Sequence, residues 1–223
     1  MTGRTGSSLA VRSHLAGPDP ASWTSRRKAS RMRWLAEAFP DLAEMSVIDL
    51  GGRLRTWQRA PVRPRRVHVV NLEGPKGEVP EWAVFDHGDA CALPAHIAGG
   101  RYDLVFSNSV IEHVGGHERR LRFAESVHKL ATAHWVQTPY RYFPIEPHFL
   151  APGMQYLPVA ARANMAQFWP LAIWRPGSHE EALKRILNIE LLDRTEMRYY
   201  FPTSTLRSEK VFGITKSLIA YHS

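Results

Sequence analysis

Apolar residues first recur at helical spacing. Met32, Leu35, Ala36 and Phe39 fall at i, i+3, i+4 and i+7, which puts them on one face of a helix. Ser22 or Thr24 is placed to cap that helix, and Pro40 ends it. From residue 47 the pattern changes to short apolar runs at 47–50, 67–70, 83–85, 104–106 and 134–137. Runs this short, apolar on both faces and bounded by Gly, Asp or Asn, suit parallel strands buried between helix layers. Between the fourth and fifth runs, Phe123, Val127, Leu130 and Ala131 mark another helix. Strands alternating with helices predict an α/β fold with a doubly wound, mostly parallel sheet and helices on both faces.

The rhythm breaks over 139–177, which is rich in proline and aromatic residues. It resumes at Ser178-x-x-Glu181, a capping-box spacing, ahead of Leu183, Ile186 and Leu187. The tail offers two strand candidates, 197–201 and 217–221, joined by a helix-like or turn segment over 207–212. Two late strands so joined predict an antiparallel hairpin at the sheet edge. Residues 1–21, rich in Gly, Ser, Thr and Pro without an apolar period, predict a flexible arm. That leaves 22–223 as one domain, with 139–177 inserted at the acceptor side.

Composition narrows the class. The 223 residues are 44% hydrophobic and 22% charged, ordinary values for a globular protein. No apolar stretch approaches the roughly 20 residues of a membrane span. Arg4 and Arg12 are followed by no apolar core of a secretory signal. The lone Cys91 excludes an internal disulfide and argues against a zinc cluster. A cytoplasmic protein is expected. The net charge of +8 points toward an anionic partner. Its excess sits in Arg26, Arg27, Lys28, Arg31 and Arg33 on the first helix, and in Arg63, Arg65 and Arg66 in a short connection. Solvated charge is ordinary in such places, and no aromatic-interleaved basic repeat accompanies it, so nucleic acid is disfavoured as a partner. Whether the chain forms a homo-oligomer is left open.

The first run ends in Asp49-Leu50-Gly51-Gly52. Glycine there allows a sharp turn and removes the Cβ that would block a ligand. A polar residue about 20 positions on holds ribose hydroxyls in nucleotide-binding α/β folds. Asn71, at the end of the second strand, or Glu73 can do so. The third strand leads into Gly88-Asp89-Ala90. Asp89 can accept from an adenine amine there, or simply form an Asx turn.

Taken in order, "VIDLGG", "GDACALP" and "YDLVFSNSVIEHV" resemble the class I S-adenosylmethionine-dependent methyltransferases over about residues 45–138. The resemblance implies a seven-stranded Rossmann-like sheet whose last strand is antiparallel. It also implies S-adenosylmethionine as cofactor. Asp49 and Gly51 would lie against its methionine part, Asn71 would hold the ribose, Asp89 and Ala90 would flank the adenine, and Ser107 and Asn108 would line the floor under the sulfonium. Arg53 stands where the family has a further glycine, and Gly52 is the residue that can compensate. Pro61 and Pro64 require the first crossover helix to be short.

After the fifth strand comes Thr138-Pro-Tyr-Arg-Tyr-Phe-Pro-Ile-Glu-Pro-His-Phe149. Open α/β sheets bind ligands at this end of their strands. Methyl transfer to oxygen needs an aligned hydroxyl and a group to take its proton. Imidazole suits that task, which makes His148 the candidate base, Glu146 its orienting carboxylate, and Glu112 a further candidate. Tyr140, Tyr142 and His113 are candidates for contact with the acceptor, and His113 can equally brace the helix after strand four. Glu146 and His148 offer two ligands to a divalent metal, which the chemistry does not itself require. The "FPIEPH", "DLGGRLRTW" and "GITKSLIA" segments also resemble actinobacterial sugar O-methyltransferases, those of mycobacterial methylated-polysaccharide synthesis. That resemblance implies a sugar or oligosaccharide acceptor.

Overall fold

A computed structural model describes residues 23–172 and 176–223. The arm expected over 1–21, and Ser22 as a cap, lie outside them. The described residues divide into two compact units: one of Met32–Tyr142 with Glu190–Ser223, the other containing Phe143–Ile189 with 23–31.

The first unit is built on a sheet. Helix α1 (Trp23–Ala38) leads to β1 (Ser46–Leu50), and Thr24 lies inside its first turn. Helix α2 (Leu54–Gln58) is a bare turn and a half, as the prolines after it require. Then come β2 (Arg66–Asn71), β3 (Ala83–His87), α3 (Ala95–Ala98), β4 (Leu104–Asn108), α4 (His117–Leu130) and β5 (His134–Pro139). The second unit holds a short ribbon, β6 (Ile145–Glu146) and β7 (Ala151–Pro152), then α5 (Val159–Phe168) and α6 (His179–Leu187). The chain returns to the first unit with α7 (Arg194–Tyr200), β8 (Thr205–Val211) and β9 (Ile214–His222). No helix among the described residues is long and apolar enough to cross a membrane.

The seven strands of the sheet run in the order β3-β2-β1-β4-β5-β9-β8. The first five are parallel to one another, and β9 runs antiparallel to both β5 and β8. The β8–β9 hairpin therefore forms one edge. Alternate residues of the central strands feed two cores. Ile48, Leu50, Val70, Val105 and Val136 pack with Phe123, Val127 and Leu130 of α4. Val47, Val67, Val69, Leu104, Phe106 and Trp135 pack with Met32, Leu35 and Trp57. Burying each such side chain is worth about 1.5–3 kcal/mol, so both faces of the sheet are fixed by burial.

Three expectations are corrected. Residues 197–201 are not a strand but the end of α7 and its C-cap, Phe201. Asp193 accepts the Glu196 N–H while the Glu196 carboxylate accepts the Asp193 N–H, a reciprocal cap that starts a helix. Residues 207–212 are not a turn but mostly β8, whose Arg207, Glu209 and Lys210 belong to an edge strand, where charge is common. At Ser178 the capping box is half formed. Its hydroxyl accepts the Glu181 N–H at 3.1 Å, but Glu181 reaches Gly177 instead of the cap residue.

A histidine cluster sits where β5 begins. His134 is buried, with its ring 5.2 Å from that of His128 and 6.0 Å from that of His222. Thr132 O accepts from its Nδ1 at 3.3 Å, so the Ser204 hydroxyl donates to Nε2 at 2.6 Å. Burial, and then the neighbouring His128 and His222, push its pKa down to about 4. A histidine so depressed stabilises the fold above the unfolded value of about 6.5, and that contribution is lost as pH falls toward 4. Thermal midpoints measured from pH 8 to pH 4 are expected to show this acid limb, worth roughly 3 kcal/mol at most. His134→Gln is expected to flatten it; an unchanged limb would assign the acid sensitivity elsewhere.

Candidate functional site

In chain order the sheet reverses direction of travel between β1 and β4, and ligands of open α/β sheets bind at such a switch point, beyond the carboxyl ends of the strands. Gly51 turns the chain there with φ +75°, donating its N–H to Val70 O at 2.7 Å. A Cβ on Gly51 would fall 2.6 Å from Val110, and one on Gly52 would overlap the Asp49 carboxylate. Gly52 thus lies directly against a buried acid, while Gly51 makes room for Val110. Trp57 Nε1–H donates to Asp49 Oδ2 at 2.8 Å, while Oδ1 is buried with no hydrogen-bond partner among the described residues.

Burial raises the Asp49 carboxyl to about pKa 7, against the opposing effect of the Trp57 bond. An acid raised in the folded state contributes stability that is complete below the unfolded value of about 4 and is lost as pH rises through 7. Asp49→Asn can keep the Trp57 bond through its amide oxygen. It is expected to raise the thermal midpoint at pH 8 and to change it little at pH 4, with a difference of up to about 4 kcal/mol between the two. Equal effects at both pH values would mean that Asp49 does not titrate in this range.

The other predicted cofactor residues occupy the neighbouring strand ends. Asn71 Nδ2 donates to Gly51 O at 3.0 Å and Gly52 O at 2.7 Å, and its Oδ1 accepts from Glu73 N at 2.9 Å. It therefore braces the glycine turn with both ends of its amide. Glu73, the other ribose candidate, is exposed and pairs with Arg53 and Lys76 at 3.3 Å each. Asp89 makes an Asx turn to Cys91 N at 2.9 Å and an ion pair with Arg119 at 2.7 Å. Burial alone would raise its carboxyl, but these bonds prevail and hold it below the usual range. Ala90 is buried beside it. Ser107 is buried and donates to Leu50 O at 2.9 Å, tying β4 to β1. Asn108 is half-buried and reaches Ser109 Oγ at 3.4 Å.

Beyond β4, Ser109 adopts φ +58°, a left-handed conformation that costs a non-glycine residue energy. It is held by two bonds to Gln137: N–H to O at 2.9 Å and Oγ to Oε1 at 3.0 Å. Glu112 is fully buried and accepts from Thr138 Oγ1 at 3.0 Å, and His113 lies 4.0 Å from its carboxylate. Tyr140 bridges to Leu192 and lies edge-on to Tyr142, ring centroids 5.5 Å apart, with Tyr142 half exposed. Trp57, Ser109 and Arg119 were not singled out by motif. The aromatic residue of the short helix after the glycine turn is the one local signal that points to Trp57.

In the second unit Glu146 and His148 form a preorganised pair. Glu146 is buried, and its Oε2 accepts from the backbone N–H of His148 at 2.8 Å and of Phe149 at 2.7 Å. Its Oε1 lies 2.7 Å from His148 Nδ1. A carboxylate there keeps the proton on Nδ1 and so puts the lone pair of the neutral ring on Nε2.

No protein-family model matches the chain. No curated protein matches it either. Solved structures do. The magnesium protoporphyrin IX methyltransferase of Synechocystis PCC 6803, crystallised with bound SAM, is similar with a TM-score of 0.51 at 12% identity, over 100% of this chain and 86% of that one. A protein of Nostoc punctiforme PCC 73102 assigned as an O-methyltransferase gives 0.50 at 14% identity, over 98% and 67%. A Bordetella parapertussis protein described as a possible exported protein gives 0.55 at 12% identity, over 89% and 67%. At these identities the likeness is one of fold, and the fold it identifies is the seven-stranded Rossmann-like fold of methyltransferase structures.

Proposed function

We propose that this chain is an S-adenosylmethionine-dependent O-methyltransferase acting on a hydroxyl of a sugar or polysaccharide precursor. The observation that carries the reading is the Asp49-Leu50-Gly51-Gly52 turn at the switch point of the sheet. Gly52 leaves no room for a Cβ against a buried carboxyl with one oxygen lacking a partner among the described residues, and Gly51 turns the chain beside it at φ +75°. That is a cradle for a ligand that comes close to the backbone and brings a donor. A cationic amino group satisfies Asp49 Oδ1 and draws the carboxyl back to its ionised form. Asp49, Gly51 and Gly52 would hold the methionine part, Glu73 or Asn71 the ribose, Asp89 and Ala90 the adenine, with Ser107 and Asn108 beneath the sulfonium. The cofactor supplies a methyl group activated on positive sulfur.

The acceptor half of the reading rests on the segment after β5. Tyr140, Arg141 and Tyr142 connect Pro139 to the unit that begins at Phe143. The tyrosines offer stiff amphipathic contact area of the kind sugars use. His148 takes the hydroxyl proton at Nε2, and Glu146 orients the ring and stabilises its charged form. Glu112 is the next candidate for the base, and His113 is a brace or an acceptor contact. A divalent metal would gather two neighbouring hydroxyls, but the Glu146–His148 pair is already closed on itself at Nδ1 and proton transfer needs no metal. The test is a labelled methyl-donor assay against sugars, lipids and nucleic acids. Transfer to sugar hydroxyls is expected; transfer to RNA or DNA alone would overturn the acceptor assignment and keep the cofactor one.

A further inference from the structure

We infer that the tip of the β8–β9 hairpin docks on an anionic lipid surface, a property that goes beyond the methyltransferase reading and does not depend on it. Val211 pairs with Ile214 across a two-residue turn, Phe212-Gly213. Both turn residues have positive φ, +48° at Phe212 and +81° at Gly213, as a type I′ hairpin turn requires. Asparagine, aspartate or glycine ordinarily fills the first of those positions. A bulky residue is strained there. The Phe212 ring gains no packing in return, since it is 98% exposed. A Cβ on Gly213 would meet nothing within 4 Å, so the turn stands in open space. An aromatic residue that is both strained and solvated adds no stability to the chain itself, which points to a use outside it.

The place of the tip on the sheet and the chemistry around it narrow that use. β9 runs antiparallel to β5 in a register from His134–His222 to Pro139–Ser217. Residues 211–216 therefore continue past the carboxyl end of β5, where Tyr140 N–H donates to Lys216 O at 2.8 Å. The tip thus projects from the end of the sheet at which ligands of such folds bind. Its apolar surface is Phe212 and the half-exposed Ile214. Two side chains fall far short of the about 800 Å² per partner that a stable protein interface buries. A lipid surface yields around an inserted ring and needs no such area. Lys210 is exposed and Lys216 half-buried on the two strands that flank the turn. Lysine holds its charge at the headgroups while its stem follows the apolar groups inward. The net charge of +8 adds a general attraction to an anionic surface. A protruding ring flanked by lysines therefore fits an anionic interface both in its apolar part and in its charge.

The experiment is co-sedimentation of the full chain with two kinds of vesicle, phosphatidylcholine alone and phosphatidylcholine with phosphatidylglycerol in equal parts. The proteins are the wild type, Phe212→Asn and the double variant Lys210→Gln with Lys216→Gln. The wild type is expected to partition onto the mixed vesicles about tenfold or more above the neutral ones, and to be released as salt screens the charge. Phe212→Asn is expected to lose about fivefold or more of that partition. Its thermal midpoint without lipid is expected to equal or exceed that of the wild type, because asparagine suits a left-handed turn position. A loss of binding with no loss of stability separates docking from a structural role. The double lysine variant is expected to lose binding to the mixed vesicles alone. Equal partition of the wild type and a folded Phe212→Asn overturns the inference, since charge elsewhere on the chain then accounts for binding. So does a wild type that binds neither vesicle. If Phe212→Asn does not fold, the double lysine variant carries the test, and its unchanged partition overturns the inference. A wild type that ignores vesicles but forms a dimer that Phe212→Asn dissolves makes the tip a contact for a second copy, and the lipid assignment falls.

Discussion

His148→Ala is expected to lower turnover by about 10²–10⁴-fold, the usual contribution of a general base, while S-adenosylhomocysteine binds as before. A sugar hydroxyl is too weak an acid to ionise first, so its proton must leave as the methyl group arrives. Glu146 keeps Nδ1 protonated through the 2.7 Å contact and leaves the lone pair at Nε2. The loss should appear in kcat and kcat/KM together, as for an interaction made in the transition state. Glu146→Gln should be milder in charge but wrong in geometry. Its amide can no longer accept from two backbone N–H groups and the imidazole N–H together, so turnover falls by a smaller factor. Near-normal turnover in His148→Ala would move the base to another residue, Glu112 first.

Gly52→Ala is expected to weaken S-adenosylhomocysteine binding by at least tenfold. The added methyl overlaps the Asp49 carboxylate, which must leave its Trp57 bond or push the turn outward. Overpacking of this kind costs about 1–3 kcal/mol, and here the strain falls on the residues assigned to the methionine part. Gly51→Val should be more severe. It combines a Cβ 2.6 Å from Val110 with a β-branched residue at φ +75°, a conformation that costs a further 1–3 kcal/mol or so. Binding should vanish in a variant that still shows native circular dichroism, or the variant should fail to fold. Wild-type affinity in a folded Gly52→Ala chain would mean that the cofactor does not approach this turn.

Much of the sheet was legible because burial on both faces leaves an unambiguous mark. The apolar runs at 47–50, 67–70, 83–85, 104–106 and 134–137 fall within β1 to β5, and the observed strands extend them by one to two residues at their ends. The tail was misread for physical reasons. Met197, Tyr199, Tyr200 and Phe201 have the bulk and aromaticity of a strand, yet the Asp193–Glu196 cap and the burial of Met197 and Tyr200 three apart make a helix. Conversely, β8 carries Arg207, Glu209 and Lys210, and its place at the sheet edge came from pairing with β9, a long-range contact that local pattern does not reveal. The same limit applies to the site. Strand-end positions of Asp49, Asn71 and Asp89 were readable from the sequence, and that of Ser107 from the family resemblance. The partners that decide what each side chain is doing, Trp57 for Asp49, the glycine carbonyls for Asn71 and Arg119 for Asp89, depend on folded geometry.

The central claim is that the switch point of this sheet holds S-adenosylmethionine, and calorimetric titration of the full chain with S-adenosylhomocysteine tests it most directly. One site per chain is predicted, with a dissociation constant within the range of about 1 µM to 1 mM typical of enzyme ligands. Binding should raise the thermal midpoint by mass action and should be lost in Gly51→Val. A folded wild-type chain that gives no binding heat and no thermal shift at millimolar S-adenosylhomocysteine would contradict it.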